Sequence, residues 1–427
     1  MTGAQPAGLR PSDVVASFDG PMGAYVHIPF CEWICPFCPY NKVLARDDLA
    51  ESYFAALHGE LDMYLTLVDR PFTSLYVGGG TPTLFPGQLT DVVARIPATG
   101  ERAIEVLPLH GTHDRLTRLR DIGFDAVSIG AQSFHDPVLR HLHRPHDAAQ
   151  AVAAVLHARD LFDCVDVDLI VDVALEEPSQ YPGAFLTDVQ ACFEMEVDQV
   201  STYPLMRFGY TPFGAARHDR HREHEILAHV TDLAAAMGYE RRSVWTFNRV
   251  GSAPYTSITR RRFLGFGAGA SSFAGQDFYV NHFGLATYIH ALAESQPPIA
   301  KWLHLGRAAG MAYDTFWQAY AGTISTATLR ADYGHWVDPL RALLTPLAAA
   351  GLLTRQDGTY RLTDRGFDRY HDLERWVTYH FIEPLWADML SEHKREGSHV
   401  PWAETAKARP GKAWRATERL LTRSPVH

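Results

Sequence analysis

From about residue 20 to residue 205, short apolar runs alternate with longer amphipathic stretches, and this alternation constrains the chain more than any other feature. Strand-type runs fall at 24–28, 75–77, 103–106, 126–129, 165–171 and 199–205. Apolar residues at helical spacing fill 49–67, 113–122, 136–159 and 183–196 between them. Strands separated by helices pair in parallel, because a parallel connection needs a crossover of about a dozen residues or more. The pattern predicts an α/β fold whose sheet is a partial (β/α)6 barrel rather than a full eightfold one. In that architecture, polar residues at the C-terminal strand ends and in the loops after them carry the chemistry.

The rest of the chain divides by pattern. Residues 1–20 are expected to form a flexible lead-in, 21–230 the barrel, and 231–300 an extension holding a glycine-dense run at 264–270. That extension follows a helix predicted near 221–237. Residues 301–395 turn mainly helical and end in a hairpin over 351–363, marked by Asp357-Gly358, a strong tight-turn pair. Helices closed by a hairpin suggest a winged-helix-like C-terminal domain. Residues 396–427 form a basic tail with Trp402 and Trp414. The net charge of −10 argues against nucleic acid as a partner, and a packing role for the winged-helix-like part is favoured over DNA binding. The opening residues lack an apolar signal core, and no stretch has the uncharged length to span a bilayer. A cytoplasmic protein without membrane contact, acting as a monomer, is expected.

Cysteine usage sharpens the functional reading. Three of only five cysteines, Cys31, Cys35 and Cys38, fall in one loop after the first strand. A disulfide framework would spread even numbers of cysteines through a short secreted chain. Spacing C-x3-C-x2-C lets one loop grip three corners of an iron–sulfur cubane. Such clusters ordinarily take four cysteines, and no fourth lies nearby, so one iron would stay open for chemistry. The alternatives are zinc with His27 as fourth ligand, or a loop without metal. Cys164 and Cys192 sit in apolar surroundings and are expected to be buried core residues.

The triad with Phe37 before its last cysteine resembles the signature of the radical S-adenosylmethionine (SAM) superfamily. Together with Tyr25-Val-His-Ile-Pro-Phe-Cys31, Gly78-Gly-Gly-Thr-Pro82, Gly130-Ala-Gln-Ser-Phe134 and the GFGAGA run, it resembles the oxygen-independent coproporphyrinogen III oxidase family over residues 24–370. The resemblance implies a radical SAM barrel, a [4Fe–4S] cluster on Cys31, Cys35 and Cys38, and two SAM molecules. The cluster-bound SAM would meet Phe37, Gly80, Thr81, Gln132, Arg144 and Asp168, with Gly78 a further cofactor-binding candidate in the same glycine run. The second would meet Tyr25, Gly79, Glu105, Pro204 and Ser271, with Tyr25 the candidate catalytic residue. An electron donor such as flavodoxin or ferredoxin is implied as a partner.

Three departures direct the reading within that family. Tyr40 stands where the oxidases usually keep a further cysteine, residues 170–174 lack their usual Tyr-Gly-Leu-Pro, and residues 254–260 lack the histidine of the heme-chaperone branch. The expectation is therefore a class C radical SAM methyltransferase or cyclopropanase. It would transfer a SAM-derived methylene to an sp2 carbon of a small-molecule acceptor in natural-product biosynthesis. Residues 241–249 with Trp245 and Tyr255 would line the acceptor pocket, and His282 is a candidate proton acceptor. The alternatives are oxidative decarboxylation of a tetrapyrrole, as in the oxidases, or heme carriage.

Overall fold

The computed structural model describes residues 8–171, 173, 181–214, 220–252 and 261–396. Among these, twelve strands form one sheet. In chain order they are β1 (Gly23–Ile28), β2 (Leu75–Gly79), β3 (Arg102–Val106), β4 (Ala126–Gln132), β5 (Cys164–Val171), β6 (Gln199–Pro204), β7 (Tyr239–Arg241), β8 (Thr246–Arg249), β9 (Phe263–Phe266), β10 (Ser271–Phe273), β11 (Asp277–Asn281) and β12 (Ile299–His304). Their order across the sheet is β12-β11-β10-β9-β1-β2-β3-β4-β5-β6-β8-β7.

β1 through β6 are parallel and in sequence order, as the alternation predicts, and β9 adds in parallel on the far side of β1. The outer strands pair antiparallel. The central strands are buried almost throughout, which is why they read as apolar runs rather than alternations. Their C-terminal ends share one edge, where the thiol loop emerges from β1.

The first crossover helix, Asp47–Leu65, shows how the sheet is covered. Asp47 and Asp48 complement its N-terminal dipole. Ala50, Tyr53, Phe54, Leu57, Leu61 and Tyr64 recur at helical spacing on its buried face. The single helix expected over 136–159 is two helices, Asp136–His141 and Ala148–Arg159. Pro145 disfavours helical backbone at Arg144, and His143 takes a φ of 54°. Asp147 then starts the second helix, with its carboxylate on Gln150 N and the Gln150 side chain on its own N.

The extension and C-terminal region pack back on the sheet. Helices Gly306–Tyr320, Thr326–Tyr333 and Val337–Ala349 lead to a hairpin, Leu353–Gln356 and Thr359–Leu362, which pairs with the short strand Thr323–Ser325. Asp357 and Gly358 both have positive φ, 48° and 77°, as a two-residue type I′ turn requires. This is the element order of a winged helix. Helix Asp364–Val377 runs through a π turn, Thr378–Ile382, into helix Glu383–Arg395, which returns to the thiol loop. Near the N-terminus, Pro11–Ala16 is helical and Val14 and Phe18 are buried, so order begins ahead of residue 20. Trp402, Trp414, Tyr255 and the 254–260 segment lie outside the described residues. Among the described residues no helix is long and apolar enough to cross a membrane.

The GFGAGA run owes its shape to one carboxylate. Glu60, fully buried, accepts from Gly267 N at 2.7 Å, Asn281 Nδ2 at 2.8 Å and Tyr288 OH at 2.6 Å. Gly267 has a φ of 101°, and a Cβ there would lie 2.4 Å from His27 O, so glycine is required. Glu60→Ala removes the acceptor of three buried donors, of which only Asn281 Nδ2 keeps another partner, Gly267 O, and is expected to lower unfolding stability by about 3 kcal/mol, measured by urea denaturation of the metal-free protein.

Candidate active site

The thiol loop begins where β1 ends. Cys31 and Cys35 are buried and Cys38 is half-buried, all as free thiols. A parallel bridge, Phe30–Cys31 on Val43–Leu44, closes the loop at its base. The glycine run after β2 lies against it: Gly80 N donates to Ile28 O at 2.8 Å and Thr81 N to Phe30 O at 2.7 Å. A Cβ at Gly80 would stand 2.9 Å from Cys31 Sγ and 2.6 Å from Phe30 O. Only glycine lets the backbone approach the sulfur this closely. Burial pushes the Cys31 thiol up to about 12, and neighbouring Cys38 adds to this. Such a thiol becomes a thiolate on binding metal, with release of its proton.

His27 does not complete a zinc site. Tyr25 OH donates to its Nδ1 at 2.7 Å, and its Nε2 donates to Asn41 O at 2.8 Å, so both ring nitrogens are engaged. Burial holds its pKa down at about 4, keeping the ring neutral. Among the described residues no three His, Cys, Asp or Glu side chains converge as one bound ion requires. A cubane, by contrast, is gripped at separate corners.

The neighbouring strands deliver polar groups to the same edge. Glu105 on β3 accepts from Tyr76 OH at 2.7 Å and Gly79 N at 3.1 Å, while burial raises its pKa. Gly79 has a φ of 120°, and a Cβ there would meet Ile28 O at 2.7 Å. Gly78 gives the Glu105 carboxylate its room, since a Cβ would lie 2.6 Å from Glu105 Oε1. Gln132 ends β4 beside a bulge with a φ of 69°, a conformation that few residues other than glycine adopt. The motif around it is pinned by Asp188, which accepts from Ser133 Oγ at 2.6 Å and Phe134 N at 3.0 Å.

Arg144 sits on the interruption between the two helices. Its Nη2 donates to Gly130 O at 2.6 Å, its Nη1 lies 3.3 Å from Cys35 Sγ, and its Nε is buried with no hydrogen-bond partner. Trp33 Nε1 on the thiol loop donates to His143 O at 2.8 Å and ties the two loops together. Asp166 and Asp168 project from the same face of β5, two residues apart. Ser128 Oγ lies 2.8 Å from Asp168 Oδ2 and 3.4 Å from Asp166 Oδ2. Burial raises both carboxyls, Asp166 to about 7.

These groups open on one cavity of about 350 Å³. Tyr25, Phe37, Gly79, Gly80, Thr81, Glu105, Gln132, Arg144, Asp168 and Pro204 line it with the three cysteines. Gly78 stands behind Glu105 instead, and Ser271 lies on β10, paired with Val280, away from the lining. Trp245 is 2% exposed and packs 4.4 Å from the His371 ring, which makes it a core residue. His282 lines a separate pocket of about 340 Å³ and faces Glu392 at 3.3 Å. Cys164 and Cys192 are buried in the core, as expected. Sequence reasoning did not single out Asp166, Ser128 and Lys42, which also line the cavity. The signal for Asp166 was its alternation with Asp168 in an otherwise apolar strand. Lys42, 2% exposed and donating to Cys38 O, gave none.

Residues 25–176 match the model of the radical SAM superfamily. A heme chaperone HemW from Bacillus subtilis is 25% identical, over 80% of this chain and 95% of its own. An oxygen-independent coproporphyrinogen III oxidase from Pseudomonas aeruginosa is 28% identical, over 66% of this chain and 68% of its own. The one from Salmonella typhimurium is 34% identical over 43% of this chain and 41% of its own. Among solved structures, Escherichia coli coproporphyrinogen III oxidase (HemN) superposes with a TM-score of 0.72 over 84% of this chain and 92% of that one, at 23% identity, which shows a shared fold.

These relatives correct the expectation of methyl or methylene transfer. Their names are those of oxidases and heme chaperones, and the methyltransferase and cyclopropanase assignment falls. The residues present fit the superfamily's cofactors: three thiols on one loop, a glycine that leaves Cys31 Sγ uncovered, and a buried guanidinium N–H without a partner at the same cavity. Residues 25–176 are thus similar to the radical SAM superfamily, and the chain as a whole is similar to the oxygen-independent coproporphyrinogen III oxidases and the HemW heme chaperones.

Proposed function

We propose that this chain is a hydrogen-abstracting radical SAM oxidoreductase of the coproporphyrinogen III oxidase type, acting on a small molecule in the cavity. The observation that carries this reading is the convergence of three thiols, one guanidinium and the carboxyls of β3 and β5 on a single cavity. The superfamily brings a [4Fe–4S] cluster and SAM as cofactors and uses a reductant, and HemN-like relatives use two SAM molecules. A flavodoxin or ferredoxin is the proposed electron donor. Held by Cys31, Cys35 and Cys38, such a cluster would supply the one-electron reductive cleavage of SAM and, through it, hydrogen-abstraction chemistry.

In this reading Cys31, Cys35 and Cys38 hold the cluster. Arg144 grips the SAM carboxylate, a bidentate match of guanidinium to carboxylate. Asp168 and Gln132 take the ribose and adjoining polar atoms, with Phe37, Gly80 and Thr81 beside them. Glu105, Gly79, Tyr25 and Pro204 face the second SAM. The dry walls of the cavity strengthen each of these contacts over their value in water. The alternative of heme carriage draws support from the span of the Bacillus subtilis HemW match.

Anaerobic reconstitution is expected to load about four iron and four sulfide per chain, and Cys31→Ala, Cys35→Ala or Cys38→Ala to prevent this without unfolding the protein. With reductant and SAM, 5′-deoxyadenosine should accumulate. Carbon dioxide should leave coproporphyrinogen III when that substrate is supplied. A cluster-loaded protein that releases none, yet takes up heme stoichiometrically without SAM, would favour the chaperone reading.

Arg144→Ala and Glu105→Gln are each expected to weaken SAM binding about tenfold by calorimetry, the loss of one charge-assisted hydrogen bond. Unchanged affinity in both variants would remove these residues from the SAM site.

A further inference from the structure

Lys42 has no part in the binding scheme above, although it is 2% exposed and lines the cavity with Cys31, Cys35 and Cys38. Its backbone is held at the base of the thiol loop. Val43 N donates to Pro29 O at 2.8 Å, and Ala45 N donates to Cys31 O at 2.9 Å. From this fixed point the side chain turns back across the loop. Nζ donates to Cys38 O and, at 3.2 Å, to Tyr40 O. A cation is thus carried into the loop by a rigid stem and aimed at the residue of the third thiol.

Lysine is almost never buried this deeply unless negative charge comes to it. Two carbonyls orient an ammonium without cancelling its charge. Metal binding adds the charge it faces, because each thiol becomes a thiolate when it ligates. The Lys42 charge already favours the thiolate of Cys31, against the larger opposing effect of burial. Arg144, 3.3 Å from Cys35 Sγ, is a second cation at the triad, but the scheme above gives it to the SAM carboxylate. The carboxyls of β3 and β5 line the same cavity, and negative charge on them opposes the arrival of an electron. A cation buried among the thiols works in the other direction. The potential of an iron–sulfur centre follows the net charge around it, and a buried charge acts at greater strength than one in water.

We propose that Lys42 sets the potential of the centre held by the thiol loop: its ammonium stabilises the reduced state, which carries one more negative charge, and so eases entry of the electron that SAM cleavage requires. The inference rests on Cys31, Cys35 and Cys38 holding a [4Fe–4S] cluster. The electron comes from the external reductant. Lys42 neither gives nor takes an electron, and no proton moves. The two carbonyl contacts position the charge, and the charge produces the effect.

The test uses the full chain, reconstituted anaerobically and kept free of SAM. Iron and sulfide analysis measures loading, and the electron paramagnetic resonance signal of the reduced centre, followed against solution potential, gives the midpoint. Lys42→Met keeps the length of the side chain without its charge, Lys42→Gln keeps an N–H donor without the charge, and Lys42→Arg keeps both donor and charge. Lys42→Met and Lys42→Gln are expected to load as the wild type does. At the wild-type midpoint their ratio of reduced to oxidised centre should be about tenfold lower, a shift of about 59 mV to more negative potential for one electron. Lys42→Arg should stay near the wild type. Equal midpoints in the wild type and both uncharged variants overturn the inference. So does failure of both uncharged variants to load while Lys42→Arg loads, since Lys42 would then only clamp the loop. If the wild-type protein itself takes up no iron and sulfide, the cysteine assignment fails instead.

Discussion

The side chain of Asn41 ties the thiol loop to everything around it. Its backbone oxygen accepts from His27 Nε2 on β1. Its Nδ2 donates to Ala268 O in the GFGAGA run and to Phe283 O, and its Oδ1 accepts from His393 Nε2 on the C-terminal helix. All these groups are buried, so each bond is costly to leave unmade. Three segments far apart in sequence are therefore fixed relative to the cysteines by one amide. Gly269, with a φ of 82°, completes the arrangement, because a Cβ there would lie 2.7 Å from Asn41 Nδ2. The glycine-dense run is accordingly a support for the thiol loop; Ala268 meets Asn41 directly, while Ser271 lies outside the cavity lining.

The same logic explains the C-terminal helix. Glu392 accepts from Phe283 N and Gly284 N, and Glu396 from Ala286 N and Thr287 N, so the two carboxylates cap the start of helix Leu285–Ala293. Trp386 meanwhile packs 5.5 Å from Tyr40, two residues past Cys38. A region that reads in sequence as a separate helical module thus closes over the barrel's working edge.

How much was legible follows from what pattern can encode. The six parallel strands announced themselves because burial on both faces demands apolar runs, and β4 and β5 were placed within a few residues. The two-helix break at residues 142–147 was passed over, although the stretch after Leu142 is polar, Pro145 interrupts it and Asp147 offers a helix cap. The short outer strands β7 to β12 were missed because three to six residues give too few periods. The candidates chosen by the rule that chemistry gathers toward the C-terminal ends of the strands, Glu105, Gln132 and Asp168, all line the cavity. The zinc alternative could be weighed only once the partners of both His27 nitrogens were visible. Substrate chemistry was the least legible level: departures such as Tyr40 alter the mouth of a site without naming what enters it, and the relatives redirected that inference.

A further property depends on the fold rather than on any motif. Neighbouring parallel strands bring inward-facing carboxyls together, and here Glu105, Asp166 and Asp168 are all raised by burial. Such a site is electrostatically unfavourable until a cation arrives, and the sulfonium and ammonium of SAM supply one. The carboxylates are kept in place by neutral donors, Tyr76, Gly79 N, Ser128 and Ser201, rather than by salt bridges, apart from the nearby Arg144. Neutral donors orient a carboxylate without cancelling its charge, so the attraction stays available to the ligand.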